Sequence, residues 1–321
     1  MTVKVGVIGV GALGRHHARL YQQCPNAQLV GVYDAAPETL ARVSEELGVA
    51  PFADMHELLS QCDAVSLATP TDLHFAMAQE ILNAQKHLLV EKPITVLPEE
   101  AEVLIQMAKS HNRVLQVGHV ERFNPVIVAF EGKVENPRFI ESHRMASYPP
   151  PRPGALPRGT EVGVVLDLMI HDIDIVLHLV KSEVASVDSV GIPVLSKSED
   201  IANARIKFEN GCVANLTASR VSHEPMRKIR IFEPNAYLSL DYSKKAAEVY
   251  RKVPQGIHRE SVPIDDHNAL LHELQHFVGC VAAVQAGGSD PASKVPGEHG
   301  LRALKLATEI IRLFPDPLDL P

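Results

Sequence analysis

Short apolar runs and longer amphipathic stretches alternate along the first third of the chain. Val3–Ile8, Leu29–Tyr33, Ala64–Thr69, His87–Val90 and Val114–Val117 read as strands. Between them lie stretches with helical spacing, such as Pro37–Leu47, with Pro in a first-turn position, and Asp72–Ala84, whose Asp can cap. Strands that alternate with helices predict βαβ units and a doubly wound parallel sheet, here of five strands.

The rhythm changes after Gly118. Arg138–Ser147, Val184–Val190, Ala202–Glu209, Cys212–Ser219, Lys228–Glu233 and Ala236–Asp241 read as strands with few helices between them, and Glu209-Asn210-Gly211 is a hairpin turn signal. These residues predict a second, α+β domain with an open, largely antiparallel sheet, the domains dividing into 1–122 and 123–321. Helices are expected at Asp167–Val180, His267–Ala286 and Gly300–Leu313, the last with the option of packing back toward the first domain. A sheet with helices on one face leaves the other to be covered, so a homodimer or homotetramer is expected. The Pro- and Gly-rich stretch Tyr148–Gly163, with Arg152 and Arg158, reads equally as a surface loop or as a lid over a substrate.

At 321 residues the chain suits two cores. A net charge of −8 argues against a nucleic-acid partner, which calls for a basic face. The start, MTVKVGVIGVG, lacks the pattern of a secretory signal, and no apolar run approaches the roughly 20 residues of a membrane helix, so a soluble, cytoplasmic protein with no membrane partner is expected. Cys24, Cys62, Cys212 and Cys280 lie far apart and read as reduced packing residues.

Candidate chemistry begins directly after the first strand. Gly9-Val10-Gly11-Ala12-Leu13-Gly14 is a GxGxxG element opening a helix at Arg15–Cys24. Its glycines allow a tight turn and a close backbone approach to a pyrophosphate at the helix N-terminus, which marks a Rossmann dinucleotide site. Asp34 ends the second strand, where a carboxylate accepts from ribose hydroxyls and repels a 2′-phosphate, favouring NAD; its alternative is a turn cap before Pro37. Thr69 and Pro70, at the carboxyl edge of the third strand, are expected to flank the nicotinamide ribose, with His74 either beside them or simply a helix-start residue.

Glu91-Lys92-Pro93 follows the fourth strand at the same edge, and the proline would hold Lys92 over the cleft; the alternative is an ordinary surface lysine. Asp167 and His171 share a helix face at i, i+4, a spacing often only structural. Alcohol oxidation needs a group to take the hydroxyl proton, and Lys92 and His171 are the two candidates. His272-Glu273-Leu274-Gln275-His276 matches the zinc-protease pattern HExxH, but Leu270, Leu274, Phe277, Val278 and Val281 form an apolar stripe nearly opposite the histidines. The pair is therefore expected on a solvent face, without the third ligand and sheltered cleft that zinc needs, and no metal is expected.

Taken in order, GVGALG, Asp34, ATPTDLH, EKP, GHVERFNP and DLMIHDID resemble the Gfo/Idh/MocA oxidoreductase family along nearly the whole chain. The resemblance implies a Rossmann domain joined to an open mixed sheet, an active site between them, and oligomers built through the sheets. It places Lys92, Asp167 and His171 on the family's catalytic lysine and Asp-x3-His pair. The expected cofactor set is Gly9, Gly11, Ala12, Leu13, Gly14, Asp34, Thr69, Pro70, His74, Glu91, Lys92 and Arg122; the expected substrate set is Glu121, Asn124, Arg144, Arg158 and His171. GHVERFNP and VVLDLMIHDID further resemble members that oxidise the 3-hydroxyl of UDP-N-acetylglucosamine with NAD, giving a 3-keto sugar that a PLP aminotransferase aminates for lipid A. Arg122, Arg144, Arg152, Arg158, Arg220 and Arg227 could supply the cations that a diphosphate needs. Where many members have a glycine-rich stretch, this chain has Gly163-Val164-Val165-Leu166, which weakens the analogy to free-sugar dehydrogenases. The remaining alternatives are an inositol or free-hexose dehydrogenase, and a non-catalytic NAD-sensing regulator on the same fold.

Overall fold

The computed structural model describes residues 2–150, 162–288 and 293–315. Arg152, Arg158 and most of the expected lid loop lie outside them. The chain divides into two units, Met1–Phe123 with His267–Leu301, and Asn124–Asp266 with Arg302–Pro321.

The first unit runs β1 (Val3–Ile8), α1 (Gly14–Tyr21), β2 (Ala27–Tyr33), α2 (Pro37–Leu47), β3 (Pro51–Phe52), α3 (Met55–Gln61), β4 (Ala64–Leu67), α4 (Thr71–Asn83), β5 (His87–Glu91), α5 (Pro98–Ser110) and β6 (Leu115–Gly118). Its strands are all parallel, in the order β3-β2-β1-β4-β5-β6. Every residue of β4 and β5 is buried, as suits strands covered on both faces. The order reverses beside β1, and the crevice at the carboxyl ends of β1 and β4 is where such sheets take ligands. Sequence analysis predicts five strands and the sheet has six: β3 pairs through only Val32 with Pro51 and Tyr33 with Phe52, too short to leave a periodic signal.

The second unit holds α6 (Pro125–Val128), β7 (Phe139–Met145), a π-helical turn (Val165–Met169), α7 (Ile170–Val180), β8 (Val184–Ile192), β9 (Ile201–Phe208), β10 (Val213–Ser219), β11 (Met226–Glu233), β12 (Ala236–Asp241), β13 (Ala246–Val253) and β14 (Gly256–Ser261). They form an eight-stranded sheet, β14-β13-β12-β11-β7-β10-β9-β8, antiparallel except between β7 and β10. Ile140, Ile231, Leu238 and Val249 lie side by side across four strands and enter one core with Ile173 and Val176 of α7. The neighbouring register row, Phe139, Phe232, Tyr237 and Tyr250, turns to the opposite face, its rings 4.9–5.7 Å apart. The sheet has two strands beyond the six predicted. All of β14 is exposed, so no alternation of apolar residues betrays it.

Two helices close the chain, α8 (Ala269–Gln285) and α9 (Gly297–Arg312). Sequence analysis assigns α8 to the second domain; it belongs to the first unit. Its Leu274, Phe277, Val278 and Val281 share a core with Val3 and Val5 of β1 and Ala18 and Tyr21 of α1. The division between units falls within α9, whose Gly300 packs on Val117 while Ala303, Leu306, Ala307 and Ile310 join the second unit's core.

Candidate active site

The turn after β1 is built by glycine where nothing larger fits. Gly9 has φ +80°, and a Cβ on it would lie 2.8 Å from the Ala68 carbonyl oxygen. A Cβ on Gly14 would fall 1.8 Å from the carbonyl oxygen of Gly9, so this glycine lets α1 start against the strand it follows. Gly11 is the opposite case: a Cβ there would meet nothing within 4 Å, which leaves open space beside the first amides of α1. Ala12 and Leu13 complete the turn, Leu13 accepting from the N–H of His16 at 2.8 Å.

Asp34, at the end of β2, reaches back to this turn. Its Oδ2 accepts the Val10 N–H at 2.8 Å and its Oδ1 the Ala36 N–H at 2.9 Å, leaving further lone pairs for ribose hydroxyls. Gly9, Gly11, Tyr33, Asp34, Ala35, Ala68, Thr69, Pro70, Leu73 and Met77 line a cavity of about 180 Å³. The Thr69 Oγ1 in its wall is buried without a hydrogen-bond partner. The open space at Gly11, the carboxylate and this unpaired hydroxyl fit a dinucleotide. Sequence reasoning misses Tyr33, Ala35, Ala68, Leu73 and Met77; the available signal was that Ala68 and Leu73 lie within ATPTDLH and that Met77 follows Leu73 by one turn of α4.

Glu91 ends β5, and the Lys92–Pro93 peptide bond that follows is cis. The Glu91 carboxylate does not face the cavity: Oε1 lies 2.9 Å from the buried Nε2 of His17, and Oε2 accepts the Lys92 N–H at 3.3 Å. His74, expected beside the cofactor or as a helix-start residue, stands between two loops. Its Nδ1 lies 2.9 Å from the Pro93 carbonyl oxygen and its Nε2 3.0 Å from that of Thr69, so the ring braces two loops. Burial holds this imidazole below its ordinary pKa, although both carbonyls and the Glu91 charge favour its cation. Arg122, in a buried 3-10 turn with Glu121, donates from a guanidinium nitrogen to the Lys294 carbonyl at 3.3 Å.

In the second unit, Asp167 lies in the π-helical turn and His171 in the first turn of α7, within reach of one face. Glu199 starts this helical segment. Its Oε1 accepts the Val165 N–H at 3.3 Å, its backbone carbonyl accepts the Val164 N–H at 3.0 Å, and a Cβ on Gly163 would collide with its carboxylate. Asn124 caps α6, its Oδ1 accepting the Val126 N–H at 3.0 Å.

Two of the expected arginines are otherwise engaged. β7 alternates so that Arg144 lies on the face covered by α7, where its Nε and a terminal nitrogen grip the two carboxylate oxygens of Asp172 at 2.8 and 3.1 Å, both side chains being buried. This geometry gives the expected substrate residue Arg144 a structural partner of its own. Arg220 donates to Asp200, to the Val162 carbonyl and to the hydroxyls of Ser196 and Ser198. Arg227 stays exposed at the start of β11.

Only one histidine of the HExxH pair lies on a solvent face, where the sequence leads one to expect both. His272 is exposed, but Glu273 is fully buried, and the Nε2 of His276 accepts the Lys294 N–H at 2.8 Å while its ring packs on Phe123. A helix has two flanks beside its apolar stripe, and His276 falls on one that the segment around Lys294 covers. Among the described residues, no cluster of His, Cys, Asp and Glu side chains is arranged to hold a metal ion, and no helix is long and apolar enough to cross a membrane.

Residues 3–119 match the model of an oxidoreductase family with an NAD-binding Rossmann fold, and residues 128–237 that of the GFO/IDH/MocA C-terminal domain. The chain is 39% identical over 315 residues to UDP-N-acetylglucosamine 3-dehydrogenase of Acidithiobacillus ferrooxidans, covering 96% of each. It is 29% identical to scyllo-inositol 2-dehydrogenase (NAD(+)) of Bacillus subtilis, covering 87% of this chain and 86% of that one. A solved structure of the Acidithiobacillus ferrooxidans protein superposes with a TM-score of 0.89 at 36% identity, over 98% of both chains.

Proposed function

The chain belongs to the Gfo/Idh/MocA oxidoreductase family and is an NAD-dependent oxidoreductase acting on CH–OH groups, and on that premise we propose that it oxidises the 3-hydroxyl of UDP-N-acetylglucosamine to a ketone. One observation carries the choice of substrate: the 39% identity to a dehydrogenase of that nucleotide sugar extends over 96% of both chains, and so through the second unit as well as the nucleotide-binding one.

NAD, when bound, would supply the acceptor for the hydride of the carbinol carbon. The amides beside Gly11 would hold its pyrophosphate, Asp34 its adenosine ribose, and Thr69 and Pro70 its nicotinamide ribose. A carbinol gives up hydride readily only as its hydroxyl proton leaves. Lys92 and His171 are the proposed proton-transfer residues, with Asp167 orienting the imidazole. Among the six arginines suggested for the diphosphate, the exposed Arg227 is a better candidate than the engaged Arg144 and Arg220.

The ketone would serve a PLP-dependent aminotransferase supplying lipid A synthesis, in the cytoplasm. Self-association as a homodimer or homotetramer is favoured by the aromatic row Phe139, Phe232, Tyr237 and Tyr250 on the sheet face away from the core.

The test follows reduced-nicotinamide absorbance with purified protein and excess NAD, offering UDP-N-acetylglucosamine, other UDP-sugars, myo-inositol and free hexoses. Turnover confined to UDP-N-acetylglucosamine is expected. Turnover confined to inositol or a hexose overturns the substrate and keeps the chemistry.

A further inference from the structure

Lys92 is the residue on which the proposed chemistry turns, and because its ammonium stands at the end of four rotatable bonds, the backbone beneath it sets where it can reach. That backbone is held from within the first unit by two buried imidazoles. On one side, the Glu91 carboxylate accepts the Lys92 N–H at 3.3 Å through Oε2, and Oε1 lies 2.9 Å from Nε2 of His17. His17 is fully buried and its Nδ1 has no hydrogen-bond partner. The carboxylate can only accept, so Nε2–H is the donor of this bond. Gly118 closes the remaining side of this carboxylate, since a Cβ there would stand 2.8 Å from Oε2. On the other side, the ring nitrogens of His74 lie 2.9 Å from the Pro93 carbonyl oxygen and 3.0 Å from that of Thr69, and a neutral ring donates to one of them.

We propose that His17 is a positioning residue for Lys92: by fixing the Glu91 carboxylate it fixes the Lys92 peptide unit, while His74 fixes the carbonyl of the next residue. The inference rests on the reading of Lys92 as a proton-transfer residue, and neither histidine touches the reacting atoms. His17 sits on α1, one turn after the glycine loop, so the helix that would cradle the pyrophosphate also supports the lysine that follows β5.

Hydrogen–deuterium exchange of the segment containing the Lys92 amide tests the brace itself, in the full-length protein without NAD. His17→Ala is expected to speed exchange there about tenfold or more, and His17→Gln, whose side-chain N–H replaces Nε2–H, to restore protection. Exchange unchanged in His17→Ala overturns the brace. Action through Lys92 is tested by kinetics with NAD and UDP-N-acetylglucosamine in a double-mutant cycle, because misplacing a reacting group by about 1 Å costs on the order of 10² in rate. His17→Ala should lower kcat by roughly 10- to 100-fold with KM for NAD within about threefold, and should cost nothing further in a Lys92→Ala background. An equal loss in both backgrounds means that His17 acts by another route. Near-normal turnover by Lys92→Ala alone overturns the reading of Lys92, whatever exchange shows at its amide.

Discussion

The Asp34 carboxylate accepts the Val10 N–H at 2.8 Å, which ties the end of β2 to the middle of the glycine loop. One residue therefore shapes the glycine turn and, in the proposed reading, would also hold the ribose. Asp34→Ala should raise KM for NAD by about 10- to 100-fold while the NADP/NAD preference rises, because the repulsion of a 2′-phosphate goes with the carboxylate. Asp34→Asn keeps one acceptor and should lose less. Steady-state kinetics with both cofactors check this, and an unchanged cofactor preference in Asp34→Ala would sink the ribose contact.

Gly11 and Gly14 should separate binding from folding. The Gly11→Ala methyl meets nothing, so the melting temperature should hold within a few degrees while NAD affinity, measured by calorimetry, falls about tenfold or more. Gly14→Ala drives a methyl into the Gly9 carbonyl and should lower the melting temperature instead, at a cost of several kcal/mol.

Lys92→Ala and His171→Ala should each reduce kcat by about 10²–10⁴, the usual worth of a proton-transfer group. NAD binding, measured by fluorescence quenching, should survive in both. Turnover within a few-fold of wild type in either variant would remove that residue from the chemistry.

Arg144 and Asp172 form a two-pronged, buried ion pair. Arg144→Met strands the carboxylate and should destabilise the protein by about 3–5 kcal/mol, whereas Arg144→Met with Asp172→Leu should recover most of that. Urea unfolding of the single and double variants measures both. A rise in substrate KM at unchanged stability would instead return Arg144 to the substrate site.

Asp200 accepts backbone N–H groups from Val194, Leu195 and Ser196 and a guanidinium N–H from Arg220. Burial by itself would raise its carboxyl, but the bonds from Leu195, Arg220 and Ser196 prevail and hold it well below the usual range. A depressed folded-state pKa gives stability that is present above the unfolded value of about 3.9 and lost as pH falls through the lower folded value. The stability advantage of the wild type over Asp200→Asn should thus be full at neutral pH and shrink below about pH 4, as unfolding at several pH values would show.

The local order of residues determined more of this protein than its length would suggest. A period-two run followed by GxGxxG, with Asp34 at the next strand end, is short-range information, and the parallel sheet, the glycine turn and the NAD site follow from it because each depends on contacts between chain neighbours or adjacent strands. Lys92, Asp167 and His171 stand out for the same reason, as residues set at strand and helix ends. What only the tertiary structure decided is which side chains remain available. The sequence marks Arg144 as a cation for substrate and His74 as a cofactor neighbour, and it carries no sign that Asp172 on a helix and the Pro93 carbonyl on another loop are their neighbours. It leaves α8 with the wrong domain and hides His17, because an apolar stripe or a buried imidazole carries no record of the distant surface that it meets. Partners far apart in the chain are chosen by packing and by the cost of leaving a buried polar group unpaired, and both are settled only when the chain has folded.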